Sequence, residues 1–377
     1  AVADIDLPPS LLSAALETEI PEIAQEMIGS YLRNAQLLGE RTAEMHLALA
    51  SDTEDPNFAP EAFTSFYQRS IYQYMRNQAG QVLLLLKKHL IQLPSDLQPV
   101  AQLVLNNREM ILARLKSILN QKINAMRTRT HGNLCLNEVL YTGKDFIIID
   151  FEGDQTRPLS ERRMKRSPLR DVAGMLESFY YSSRIALRNE KESGIILPDD
   201  QPLMEQWTQF FYTWSGIAFL KSYLSAANGA AFLPSEPSEL QLLIDGFVLE
   251  KAIIELEHEL KNRPNWVEVP LYRILELLET AWQWTDRRAE EAEEAEEAEE
   301  AEEAEEAEEA EEAEEAEEAE EAEEAAEAEE AEEAEEKICP LPPLPLCPLC
   351  TLCPLCSQFP HHSLDIKHNY YFDSSLK

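Results

Sequence analysis

The chain contains no run of eighteen consecutive apolar residues, which leaves no candidate for a membrane-spanning helix. Its first residues, AVADIDLPPS, hold neither a basic start nor an apolar stretch, so we expect no export signal and a soluble, cytoplasmic protein. Cysteine is nearly absent from the body: five of the six lie beyond residue 338, leaving Cys135 alone. No disulfide can form within that body, as suits a reducing compartment. Glycine is scarce as well, with 11 in 377 residues; only Gly29, Gly39 and Gly80 precede residue 131, and no G-x-G occurs anywhere. A glycine-rich, phosphate-cradling loop is therefore not recoverable. Residues 289–336 contain no basic residue and 31 of the 71 acidic ones; setting them aside takes the net charge from -39 to -8. No concentrated basic surface of the kind a nucleic-acid binder needs stands out.

What is present is mostly helical periodicity. Ile23, Met27, Tyr31, Leu38, Met45 and Leu49 recur at helical spacings and predict one long helix, closed by the polar loop SDTEDPNFAPEA. Further helices are expected near 61–92, 95–126, 199–226, 236–261 and 269–286, with another starting at Ser167-Pro168, an N-cap followed by a first-turn proline. No clear strand is expected before residue 137. There EVLYT, Gly143-Lys144 and FIIID signal a β-hairpin.

Two low-complexity segments follow. The Ala-Glu-Glu repeat has a period of three, which drifts around a helix of about 3.6 residues per turn and builds no apolar seam. Each glutamate meets like charges one turn away, so we expect a solvated acidic tail rather than a specific ligand for a basic partner. The stretch ICPLPPLPLCPLCTLCPLC carries Cys347, Cys350, Cys353 and Cys356 at a spacing that invites a metal reading. Zinc pairs are usually separated by a longer loop, and prolines in the spacers restrict wrapping around one ion. An expanded repeat accounts for it better.

Chemistry concentrates in RTRTHGNLCLNEVLYTGKDFIIIDFEG, residues 127–153. In kinase-type sites a His-x-Asp supplies the carboxylate that orients the acceptor hydroxyl, a polar residue five positions on holds magnesium, and an Asp ending a nearby strand holds it too. The corresponding positions here are His131, Asn133, Glu138 and Asp150. Three isoleucines are expected to deliver Asp150 at the end of a buried strand. Glu138 suits magnesium as well as an amide would. Asn133 does not suit a base, because an amide can accept a hydrogen bond from a hydroxyl but cannot take its proton near neutral pH.

Together with LLGERTAEMHLALASDTEDPNFAPE, RPLSERRMKRSPLRDVAGML and FVLEKAIIELEHELKNRPNWVEVPL, this stretch resembles the C-terminal lobe of maltokinase, over about residues 25–285. That family follows trehalose synthase in bacterial fusion proteins and is similar in fold to aminoglycoside phosphotransferases. The resemblance implies a mainly α, protein-kinase-like C-terminal lobe with a small central hairpin and the N-lobe missing. It implies a linker at 1–24, the lobe at 25–287, an acidic tail at 288–337 and a Pro/Leu/Cys-rich end at 338–377. It also implies transfer of the ATP γ-phosphate to maltose with Mg2+, in trehalose and glucan metabolism. Asn133 then stands at the catalytic Asp beside His131, Glu138 at a Gln that helps hold magnesium, and Asp150 at the second metal ligand. Glu255, Glu259, Arg263 and Trp266 stand at substrate-binding positions. Cys135 replaces a His, and Ile254 and His258 replace Tyr. We expect weak or absent activity in isolation. The alternatives are a non-catalytic sugar- or partner-binding pseudokinase module, or half of a broken gene whose N-lobe or trehalose synthase domain is encoded separately.

Other residues have plainer readings. The segment RPLSERRMKRSPLRD could face phosphate or an acidic surface, or be a solvated loop with Arg170 and Asp171 in structural ion pairs. His46 is expected as a packed core histidine, and Trp207, Trp214 and Trp266 as core more than sugar-stacking surface.

Overall fold

In a computed structural model of the chain, residues 6–153 and 157–279 are described. They all belong to one compact unit, Ala1–Glu294; the other unit, Ala295–Lys377, lies wholly outside them. The acidic run and the cysteine ladder lie outside the described residues too.

The N-terminal part is helical: α1 (Leu11–Glu17), α2 (Glu22–Ile28), α3 (Ser30–Leu49), α4 (Ser65–His89), α5 (Gln98–Asn106) and α6 (Arg108–Lys116). The single helix expected through residues 23–49 is broken at Gly29, whose φ of 63° and ψ of -126° lie outside helical space and favour glycine. The buried stripe is also offset from the expected one, since Leu32, Ala35, Leu38, Gly39, Thr42, Ala43 and His46 face the core. Small and polar residues line it, so the larger Met45 and Leu49 beside it misplace the face. The helix expected from 61 begins at Ser65, where the Thr64 hydroxyl accepts from the Tyr67 amide at 3.2 Å. The one expected over 95–126 is two short helices followed by a strand. That strand, β2 (Met126–Arg127), pairs antiparallel with β1 (Glu61–Ala62). Two-residue strands carry no alternation for a sequence pattern to reveal.

The hairpin forms as expected from β3 (Val139–Tyr141) and β4 (Phe146–Ile148), with Val139 opposite Ile148 and Leu140 opposite Ile147. It is not buried, which corrects the expectation for the isoleucine run: Leu140 is 51% and Ile147 52% exposed. Only the face carrying Val139, Phe146 and Ile148 packs on the core.

After a short α7 (Leu159–Arg162) come α8 (Leu169–Glu192), α9 (Gln201–Ala226), α10 (Pro237–Asn262) and a helix over residues 268–279, α11. At the head of α8 the Ser167 hydroxyl accepts from the Leu169 amide at 3.3 Å, so Pro168 sits one residue before the first helical position. Much of α9 and α10 is apolar on every side, the pattern of helices enclosed by others. Accordingly α9 packs between α3 and α8, and α10 between α8 and α4. Gly39 permits the α3–α9 approach, since a Cβ there would collide with the Phe219 carbonyl of α9 and lie 3.1 Å from the Tyr223 nitrogen.

Candidate functional site

The loop 131–135 and the base of the hairpin converge. Glu138 ends a 3-10 turn (Leu136–Glu138), and its carbonyl accepts from the Ile149 amide at 3.0 Å. This rung extends the hairpin by one pair and brings the carboxyl of Asp150 against that of Glu138. Burial, and then the hydrogen bond and charge of Asp150, push the Glu138 carboxyl above its ordinary range. Asp150 has φ 60°, and among the described residues it is the one non-glycine in left-handed backbone. Aspartate tolerates that region better than most, but such outliers concentrate where side-chain direction matters. Next to it, His131 is 2% exposed. The Ile149 carbonyl, 2.6 Å from its Nε2, can only accept, so Nε2 carries hydrogen and Nδ1 accepts from the Asn133 amide at 3.4 Å. Both ring nitrogens are thus used in tying the loop to the residue before Asp150. The Asn133 side chain, half-buried, makes no hydrogen bond among the described residues.

The sequence did not reveal what holds the loop. Asp171, in the first turn of α8 and 2% exposed, accepts from the His131 amide at 2.7 Å and the Gly132 amide at 2.9 Å. His46 of α3 donates to the same carboxylate from Nε2 at 3.1 Å, while its Nδ1 lies 3.0 Å from the Tyr223 hydroxyl of α9. One buried aspartate therefore joins α3, α8 and the loop that presents Asn133. The expectation of a packed His46 holds, and its partners give the reason. Gly174 on α8 lets the helix meet the loop, for a Cβ there would stand 2.6 Å from the Leu134 carbonyl.

Among the described residues no three His, Cys, Asp or Glu side chains cluster as a metal cage. The Glu138–Asp150 pair is nevertheless the donor set that magnesium accepts, one or two carboxylates with the rest of the shell from water and phosphate. A divalent cation there would relieve the repulsion that raises the Glu138 carboxyl.

The expected substrate residues lie on α10 and just beyond it. Lys251, Glu255, Glu259 and Arg263 follow each other at four-residue intervals along one face, about 18 Å from first to last at ~1.5 Å per residue. Lys251 acts electrostatically on both Cys135 and Glu255, so the stripe starts at the Asn133 loop and runs away from it. Glu255 is half-buried, and burial raises its carboxyl. Glu259 is fully buried, accepting from Arg263 and from the Tyr181 hydroxyl through Oε1, while its Oε2 has no partner among the described residues. Trp266 lies under two guanidiniums, Arg188 at 4.8 Å and Arg263 at 5.8 Å. Trp214 is core, and Trp207 stacks on Phe210 at 5.6 Å. Cys135 is half-buried, and burial pushes its thiol up.

The basic segment after Asp150 is largely structural. Arg170 pairs with Glu250 at 2.7 Å, Arg162 donates to the Glu152 carbonyl at 3.0 Å, and Lys165 binds Glu61 and two carbonyls. Asp171 pairs with His46 rather than with its neighbour Arg170.

A mainly helical body, two small strand pairs and a loop–hairpin junction bearing Asn133, Glu138 and Asp150 define a kinase-like helical lobe. No protein-family model matches the chain. Solved structures similar to it are glucosamine kinases. One, in complex with glucosamine, ADP and inorganic phosphate, matches with a TM-score of 0.53 and 18% identity over 71% of this chain and 55% of its own. Another glucosamine kinase, in crystal form A, matches with a TM-score of 0.54 and 17% identity over 73% of this chain and 60% of its own. The chain thus spans a little over half the length of these structures, and the likeness is one of fold.

Proposed function

We propose that this chain carries the acceptor half of an ATP-dependent sugar phosphotransferase of the maltokinase type, with maltose as acceptor and maltose 1-phosphate as product, and that its turnover in isolation is weak. The contact of Glu138 with Asp150 at the hairpin base, facing the Asn133 loop, carries this reading. Glu138 and Asp150 would hold magnesium, which when bound neutralises charge on the nucleotide phosphates. His131 fixes the loop against the residue before Asp150. The Asn133 amide oxygen orients the acceptor hydroxyl but cannot remove its proton, and a missing positioned base costs about 10²- to 10⁴-fold. Glu255, half-buried, suits a sugar hydroxyl, and the buried Glu259 holds Arg263 and the Tyr181 hydroxyl in place beside it.

Product formation from ATP, Mg2+ and either maltose or glucosamine tests this directly. We expect traces of maltose 1-phosphate from the native chain and at least a tenfold increase in Asn133→Asp. Turnover of the native chain at an ordinary kinase rate, about 1–100 s⁻¹, would overturn the assignment of weak activity. A preference for glucosamine would overturn the acceptor. A second reading, a sugar-binding module without catalysis, is favoured by Asn133 itself. It requires maltose to bind equally with and without nucleotide, and Asn133→Asp to gain nothing. A separately encoded N-lobe or trehalose synthase domain is the partner either reading would take.

A further inference from the structure

A second candidate site lies apart from the junction of the Asn133 loop with the hairpin. Between the loop before β1, strand β2 and the turn after α7 is a cavity of about 540 Å³, within the size range of small-molecule sites. Four cations line it, Arg127, Arg129, Arg163 and Lys165, against one carboxylate, Glu61. This excess is local, since the chain without residues 289–336 carries a net charge of -8. Two of the cations form a fixed floor. Lys165 uses its three donors on Glu61 at 2.9 Å and on the Pro56 and Ala59 carbonyls at 2.6 Å each, and Arg127 pairs with Glu61 while lying 4.5 Å over the Tyr67 ring. Lys165, and with it Arg127, hold the Glu61 carboxyl below its usual range, so the floor stays charged. The other two are uncommitted. Arg129 donates one Nη1 hydrogen bond to the Arg163 carbonyl at 2.6 Å, and neither guanidinium has a carboxylate partner among the described residues.

We propose that this cavity binds an organic phosphate, a phosphomonoester on a small carbon skeleton. Guanidinium forks match phosphate oxygens in pairs, and the fixed floor adds charge without further ordering. The apolar side chains of Phe58 and Met164, 38% and 46% exposed, offer a wall for the carbon skeleton. The site contains none of Asn133, Glu138 and Asp150, so it stands or falls independently of the function proposed for those residues. It adjoins the Asn133 loop in the chain, because β2 leads through Thr128 to His131, and Thr128 exchanges two backbone hydrogen bonds, at 2.9 and 2.8 Å, with Arg166, the neighbour of Lys165.

Calorimetry on the full chain at low ionic strength, with glucose 6-phosphate, glucose and inorganic phosphate as probes, tests the assignment. We expect saturable binding of glucose 6-phosphate, weaker binding of inorganic phosphate and none of glucose. The double substitution Arg129→Ala/Arg163→Ala should weaken glucose 6-phosphate at least tenfold with the melting temperature unchanged, Arg163→Lys should weaken it less, and Asp150→Ala should leave it intact. Absence of saturable binding, binding that survives the double substitution, or binding lost in Asp150→Ala would overturn the site. Equal affinity for inorganic phosphate would overturn the organic ligand.

Discussion

Asp171 shows how much of the candidate site depends on a residue outside it. Both its oxygens are used, on His46 and on the two amides that set the direction of the Asn133 loop. Removing it leaves buried donors unpaired on two elements, so Asp171→Ala should cost about 3–5 kcal/mol in urea denaturation. Burial alone would raise this carboxyl, but the hydrogen bonds from His46 and from the Gly132 amide outweigh it and hold the pKa low. A folded value below the unfolded one of about 3.9 means stability that is present above pH 4 and lost as pH falls through the folded value. Asp171→Asn should therefore be less stable at pH 7 yet lose less on acidification, and parallel acid-dependence curves for the two proteins would contradict this. A second titration belongs to Glu138. Since Asp150 contributes to its elevation after burial does, Asp150→Asn should move the Glu138 midpoint downward in an NMR titration, and an unmoved midpoint would show that the two carboxyls are not in contact.

At the scale of elements, the α3–α9 contact rests on one absent Cβ. Gly39→Ala places a methyl group against backbone of α9, which cannot rotate away as a side chain would, so the helices must separate. We expect a loss of about 1–3 kcal/mol, read as a lower denaturation midpoint, whereas Gly80→Ala on α4, with open space around it, should be neutral or stabilising. The same contact explains where the sequence is legible and where it is not. Helices α8, α9 and α10 are long and apolar enough to be seen, and the hairpin announces itself through Gly143-Lys144 between β-rich runs. The inner face of α3 is built from Ala, Gly, Thr and His, which no hydrophobic count selects, and Gly29 breaks the helix by geometry without interrupting the pattern. Asn133, Glu138 and Asp150 are legible because their spacing along the chain is itself the constraint. The role of Asp171 is not, since its partners lie 40 and 125 residues away and nothing local marks them. Arg129 and Arg163 read as loop charges until β2 and the turn after α7 are brought together.

At the scale of the molecule, the hairpin leaves one face open. Leu140 and Ile147 are cross-strand partners pointing away from the core, and Phe151 beyond them is 49% exposed. Among the described residues no element stacks on this face. The described residues would contact a nucleotide base laid there on one side only, with its phosphates near the Glu138–Asp150 pair. Affinity then rests on one apolar wall and one cation, and we expect Mg-ATP to bind this chain with Kd about 1 mM or weaker, roughly 4 kcal/mol. Micromolar binding by calorimetry would contradict this. Polar substitution separates a binding surface from a structural one. Leu140→Ser and Ile147→Thr remove apolar groups that are already half in water, so each should change folding stability by no more than about 0.5 kcal/mol. The same substitutions should abolish whatever nucleotide binding is measurable, as should Asp150→Ala from the phosphate end. If instead Leu140→Ser unfolds the protein, the outer face of the hairpin is part of the fold's own support, and the nucleotide must be sought elsewhere.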